Sequence, residues 1–106
     1  MRKYLTRLRE NSHLIREQTD REGEALARKS YRELKALLDE SPRDACTFTR
    51  IVEGHEFVFT LEQYNTLKDG TMCLCLDASA CRGLPTLFGV LPSYQFKKHP
   101  DDSVSF

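Results

Sequence analysis

Pro42 separates two halves of this chain whose hydrophobic periods are incompatible. Residues 2–40 contain neither proline nor a β-rich run, and arginine, glutamate, leucine, alanine and lysine dominate them, residues that lose little side-chain freedom in a helix. Ser41-Pro42-Arg43-Asp44 stops that half, because proline removes a helical donor and drives the residue before it out of the helical region. Beyond it, apolar residues recur at every second position. Helix segregated from strand in this way predicts an α+β domain: an N-terminal helical hairpin or long helix over residues 2–40, packed on a four- to five-stranded, mainly antiparallel sheet with one short inserted helix near residues 61–68. A chain of 106 residues supplies one core, so a single domain is expected over 1–106. Its parts are a helical half (1–40), a β-rich half (45–96) and a loose polar tail (97–106).

Within the helical half Tyr4, Leu8 and Ile15 form one stripe, and Ala27, Tyr31, Leu34 and Leu38 form another. Carried forward as a straight helix, the first stripe passes through Gln18, Glu22 and Ala25, about two residues out of phase with the second. Residues 16–24 hold no apolar side chain, and Thr19-Asp20-Arg21-Glu22 has the form of a capping box. One continuous rod would be on the order of 55 Å long. A turn near residues 18–20 is therefore favoured, with a projecting rod as the alternative.

In the β-rich half, residues 47–61 flank Gly54-His55, and a two-residue loop with glycine first predicts a type II′ hairpin. Val52 then faces Phe57, Ile51 faces Val58, Arg50 faces Phe59 and Phe48 faces Leu61. The pleat puts Cys46, Phe48, Val52, Phe57, Phe59 and Leu61 on a core face broken only by Arg50, and Thr47, Thr49, Ile51, Glu53, Glu56, Val58 and Thr60 on the other. Thr60-Leu61-Glu62-Gln63 resembles a second capping box, with Leu61, Tyr64 and Leu67 at helical spacing and Asp69-Gly70 as a stop, hence the inserted helix. Residues 71–77 alternate cleanly and predict a strand with Met72, Leu74 and Leu76 inward. Residues 86–91 predict another, which Tyr94 and Phe96 extend past Pro92.

Sixteen basic and sixteen acidic residues cancel, so no global field draws the chain to nucleic acid or to an anionic membrane. No apolar run approaches the roughly 20 residues of a membrane span, and no signal-peptide core follows the basic N-terminus. A cytoplasmic location with reduced cysteines is the expectation.

Chemistry-bearing patterns are sparse. Cys73 and Cys75 share a strand face, but the spacing lacks paired CxxC knuckles, and no metal or cofactor is expected. Ser79-Ala80-Cys81-Arg82-Gly83 resembles the pentapeptide around the caspase nucleophile over five residues, with Ser79 in place of glutamine. That resemblance implies a cysteine hydrolase, yet the upstream His55 lies 26 residues away instead of about 50, and the chain is too short for that fold. Arg2, Arg9 and Arg16 recur at seven-residue spacing, expected on the side of the first helix away from Tyr4, Leu8 and Ile15, where they would track a phosphate backbone or simply face water. Glu53 and Glu56 are expected opposite each other, and His13, His55 and His99 on the surface.

With no catalytic set, the leading expectation is a small non-enzymatic protein-binding module, an inhibitor, adaptor or regulatory protein of immunity or anti-defence type acting by surface occlusion. Its partner-binding candidates are Arg2, Arg9, Arg16, Ile51, Glu53, His55, Glu56 and Val58. The partner would be another protein, and homodimerisation is a companion expectation. A nucleic-acid-binding regulator using the basic first helix is the alternative, and a cysteine hydrolase or zinc protein ranks below both.

Overall fold

The computed structural model describes residues 2–81 and 92–106. Two helices, α1 (Arg2–Ala27) and α2 (Tyr31–Asp39), precede five strands, β1 (Ala45–Val52), β2 (His55–Thr66), β3 (Met72–Cys81), β4 (Ser93–Lys98) and β5 (Val104–Ser105). The strands form one antiparallel meander in chain order, so β1 and β5 are its edges. Both helices pack on the same layer of side chains, α1 against β3 and β4, α2 against β1. This is the expected α+β layout, with five strands. The strand expected at 86–91 lies outside the described residues. Among those described, no helix is long and apolar enough to cross a membrane.

The first hairpin forms where expected, but its loop is Glu53-Gly54, both at positive φ (53° and 79°), a type I′ turn. Val52 therefore pairs with His55, Arg50 with Phe57 and Phe48 with Phe59. Moving the loop by one residue shifts the register by two, which preserves which side chains share a face. The core face survives the error: Phe57, Phe59 and Leu61 are fully buried, and the Phe48, Phe59 and Phe57 rings stack in series at 5.5 and 6.1 Å. Glu53 and Glu56 do not face each other, since Glu56 pairs with Ile51 and Glu53 occupies the turn.

No helix follows at 61–68. β2 runs on through Thr66, pairing Leu61 with Cys46 on one side and Leu76 on the other. Leu61 and Glu62 are paired on both sides, and Gln63, Asn65 and Thr66 go on pairing with β3, which leaves no room for a helical turn. A bulge between Gln63 and Asn65 absorbs the break in alternation, while Tyr64 and Leu67, the residues that mimicked helical spacing, are exposed. Asp69-Gly70 closes the β2–β3 turn instead, with Gly70 at φ 93° and the Asp69 carboxylate accepting from the Thr71 amide. The tail is not loose either. His99 and Ser103 close a second turn, and β5 pairs with Lys97 and Lys98.

α1 continues straight through residues 18–20. Its buried stripe is Leu8, Ile15, Gln18, Thr19, Gly23, Leu26 and Ala27, and its middle is small or polar. The Thr19 hydroxyl donates back to the Ile15 carbonyl at 2.7 Å and so needs no partner from the sheet. A Cβ on Gly23 would overlap the Tyr94 ring, so α1 approaches β4 closely only because that position is glycine. The helix ends at Ala27, whose carbonyl accepts from the buried Lys98 ammonium at 2.9 Å, a cation at the negative end of the helix dipole. Ser30 and Glu33 form the capping box that starts α2.

In an isolated helix Gly23→Ala would gain about 1 kcal/mol of propensity. Here it is expected to lower stability by a net of about 1–2 kcal/mol, because overpacking outweighs that gain. Denaturant melts check it. In a Tyr94→Ala background most of the loss should vanish, and an equal loss in both backgrounds would exclude the ring as its cause. Lys98→Met, which strands the Ala27 carbonyl, is expected to cost about 1–3 kcal/mol in the same melts.

Candidate functional site

The two sheet edges are unequal. β5 has two residues, too few to template another strand, whereas β1 has eight. In a two-residue hairpin the pair flanking the loop exchanges both hydrogen bonds, and bonding then alternates along the ladder. Val52, Arg50, Phe48 and Cys46 thus direct their backbone groups toward β2. Those of Thr47, Thr49 and Ile51 point outward, and no described strand pairs with them.

A groove of about 380 Å³ runs beside this edge on the helix side. β1 contributes Cys46, Phe48 and Arg50, and α2 contributes Leu37. From α1 and the turn after it come Glu22, Leu26 and Lys29. Arg50, the charge that interrupts the apolar face, spans the groove. Its Nε sits 3.0 Å from Glu22 Oε1, its Nη1 donates to the Thr49 carbonyl at 3.2 Å, and its guanidinium lies 4.8 Å from the Phe48 ring centroid. A half-exposed pair of this kind contributes roughly 0.2–1 kcal/mol. Lys29 is exposed and makes no ion pair among the described residues.

The sequence-derived candidates divide between two places. Ile51, 75% exposed, lies on the sheet face away from the helices with its partner Glu56 and with Val58. Glu53 caps the same hairpin, whereas the pleat turns half-buried His55 to the helix side. Arg2, Arg9 and Arg16 lie on α1, remote in sequence from that hairpin. Arg16 does not lie opposite the buried stripe but beside it, donating to the Ser93 carbonyl of β4 at 3.5 Å and lying 3.9 Å from Asp20. The three arginines are thus not one free cationic row. Of the groove, only the oddity of Arg50 was visible in advance. Glu22, Leu26, Lys29 and Leu37 are brought to it by the turn at residues 28–30, which the pattern placed elsewhere.

A second polar cluster ties the sheet's far end together. The Asp69 carboxylate accepts from the Thr71 amide at 2.9 Å, and the Thr71 hydroxyl shares a hydrogen bond with His99 Nδ1 at 2.9 Å. His99 Nε2 shares a second hydrogen bond with the Ser105 hydroxyl at 2.8 Å. The relay joins the β2–β3 turn, the β4–β5 turn and β5. Nearby, the Tyr31 hydroxyl donates to the Gly70 carbonyl at 2.6 Å, and the Tyr31 amide to Asp102 at 2.7 Å, docking the start of α2 on both turns. Burial, and then the neighbouring Asp77, push the Cys75 thiol above its ordinary range, opposite to the shift that activates a thiolate nucleophile. Among the described residues no three His, Cys, Asp or Glu side chains gather to hold a metal. The pentapeptide around Cys81 falls on residues whose side chains lie outside the description.

No family model matches the chain, and neither a curated protein nor a solved structure was found to resemble it.

Hydrogen bonds from the Thr71 amide hold Asp69 below the usual carboxylate range, and bonds from the Ser103 hydroxyl and amide do the same for Asp101. A carboxylate with a lowered folded-state pKa stabilises the fold above its unfolded value and loses that contribution as pH falls through the folded value. Both turns are therefore expected to loosen only below about pH 4. Accelerated exchange of the Thr71 and Ser103 amides, compared with amides in the centre of β2, checks this by nuclear magnetic resonance.

Proposed function

We propose that the protein is a non-enzymatic protein-binding module, an inhibitor, adaptor or regulatory protein that works by covering a surface on another protein. One observation carries this reading: an eight-residue edge strand, unpaired on its outer side among the described residues, lies beside an apolar groove, while the sheet's other edge strand is two residues long. Unpaired strand edges are normally shortened or covered, so a long one retained next to a lined groove favours use as a contact surface. Ile51, Glu56 and Val58 extend that surface onto the outer sheet face, with Glu53 at the hairpin tip. The engagement of Arg16 by Ser93 and Asp20 counts against an α1 phosphate-tracking surface, which makes nucleic acid the weaker alternative. Free Cys46, Cys73 and Cys75 are in keeping with a reducing, cytoplasmic setting.

Capture from a lysate of the source organism with the full-length tagged chain tests this. A stoichiometric protein partner is expected with the wild type, and at least tenfold less of it with Ile51→Asp, a change at an exposed side chain that leaves the melting temperature in place. Recovery of nucleic acid alone would overturn the reading. So would labelling of Ser105 by a serine-directed phosphonate, since Ser105 and His99 are a hydroxyl and a base in hydrogen-bond contact.

A further inference from the structure

The binding-module reading leaves the chemistry of the partner open, and the edge narrows it. We infer that β1 is completed in the bound state by an extended segment of the partner, carrying a bulky aliphatic side chain flanked at alternate positions by carboxylates.

Three observations converge on this occupant. The outward amides and carbonyls of Thr47, Thr49 and Ile51 alternate at strand spacing, a pattern that another extended backbone matches and a helix, whose backbone groups bond internally, does not. A strand added there sends every second side chain to the helix side, where the groove floor is Leu26, Leu37, Cys46 and Phe48. That space, about 380 Å³, accepts a leucine-sized side chain. The charged residues lining the groove are Glu22, Arg50 and Lys29. Glu22 is already matched by Arg50, while Lys29 stands exposed without an ion pair among the described residues, so the next inward-facing side chain of the added strand meets a cation. The Thr49 carbonyl, which accepts from Arg50, keeps its second lone pair for the incoming amide.

The same geometry gives a clean way to close the edge. Thr49 directs its amide outward, so proline at that position removes an edge donor and no β1–β2 hydrogen bond, the one setting in which a strand tolerates proline. The probe is a fluorescent seven-residue peptide, capped at both ends, in which threonines alternate with glutamate, leucine and glutamate. Its anisotropy with the full-length chain is expected to report binding at least tenfold tighter than for the version with lysine in place of glutamate. Of two isomers N-methylated on one or the other alternating set of amides, one should bind like the parent and the other at least tenfold more weakly, because only one side of the peptide meets β1. Thr49→Pro should weaken binding at least tenfold with the melting temperature retained, and Lys29→Glu should reverse the preference between glutamate and lysine peptides.

Equal behaviour of the two N-methylated isomers would overturn the inference without reliance on any protein variant. An unchanged charge preference in Lys29→Glu would do the same. So would a dimer in sedimentation velocity that Thr49→Pro dissolves, since a second copy would then hold the edge. A captured partner that requires Ile51 but binds Thr49→Pro as tightly as the wild type would remove the strand inference and leave the binding-module reading standing.

Discussion

Gly23 lies under the Tyr94 ring, and the seating of α1 on the sheet depends on that contact. With any side chain at position 23 the helix would be lifted from β4, and the contacts on either side of it would open together. Toward the C-terminal end, the Lys98 ammonium reaches the Ala27 carbonyl only if the helix end is held down on the sheet. Toward the other end, Ile15 is fully buried in the common core with Leu74, Leu76 and Phe96. Burial also raises the Tyr94 hydroxyl above its ordinary range, with Glu24 and Asp20 adding to the effect.

Helix hydroxyls in this interface are satisfied within the helix itself, which is why the small and polar middle of the stripe can be buried. Ser12 and Thr19 each return their hydroxyl to the carbonyl four residues back, and no buried side-chain nitrogen or oxygen among the described residues lacks a partner. Hydrogen bonding within the helix removes the desolvation cost that would otherwise exclude threonine from such a position. Small size matters as much as polarity here. A stripe of serine, threonine and glycine lets the backbone lie near the sheet, whereas leucines at the same positions would hold it away.

The two edges of the meander are treated differently. At β5 the chain ends the sheet within two residues and binds the short strand through the Ser105, His99, Thr71 and Asp69 relay, so that edge offers little to pair with. At β1 the edge remains long, with Arg50 folded onto the Thr49 carbonyl and no described strand paired to it. The turn at residues 28–30 then swings α2 over the start of β1 and leaves a groove between the helices and the strand. The edge follows from the order of the strands, and the groove beside it from the way the helical half is divided.

Much of this was legible from residue order. Pro42 divides helix from strand wherever the chain is placed, and alternation in β1, β2 and β3 assigns Phe48, Phe57, Phe59, Leu74 and Leu76 to the core, because a strand's two faces follow from backbone geometry alone. Even a misplaced hairpin loop left that assignment intact, since a register shift of two conserves parity. Position in the fold decided the rest. Leu61, Tyr64 and Leu67 have helical spacing, yet Leu61 pairs with β1 and β3 and the chain from Gln63 to Thr66 goes on pairing with β3, so long-range hydrogen bonding overrides local preference. The Thr19 capping pattern went unused because its hydroxyl is better satisfied inside a helix pressed against β4. Arg50 looked like a flaw in an apolar face until Glu22, 28 residues earlier, came within 3.0 Å of it. Periodicity along a chain specifies which face a side chain takes, but which distant residue it meets there is set only when the layers pack.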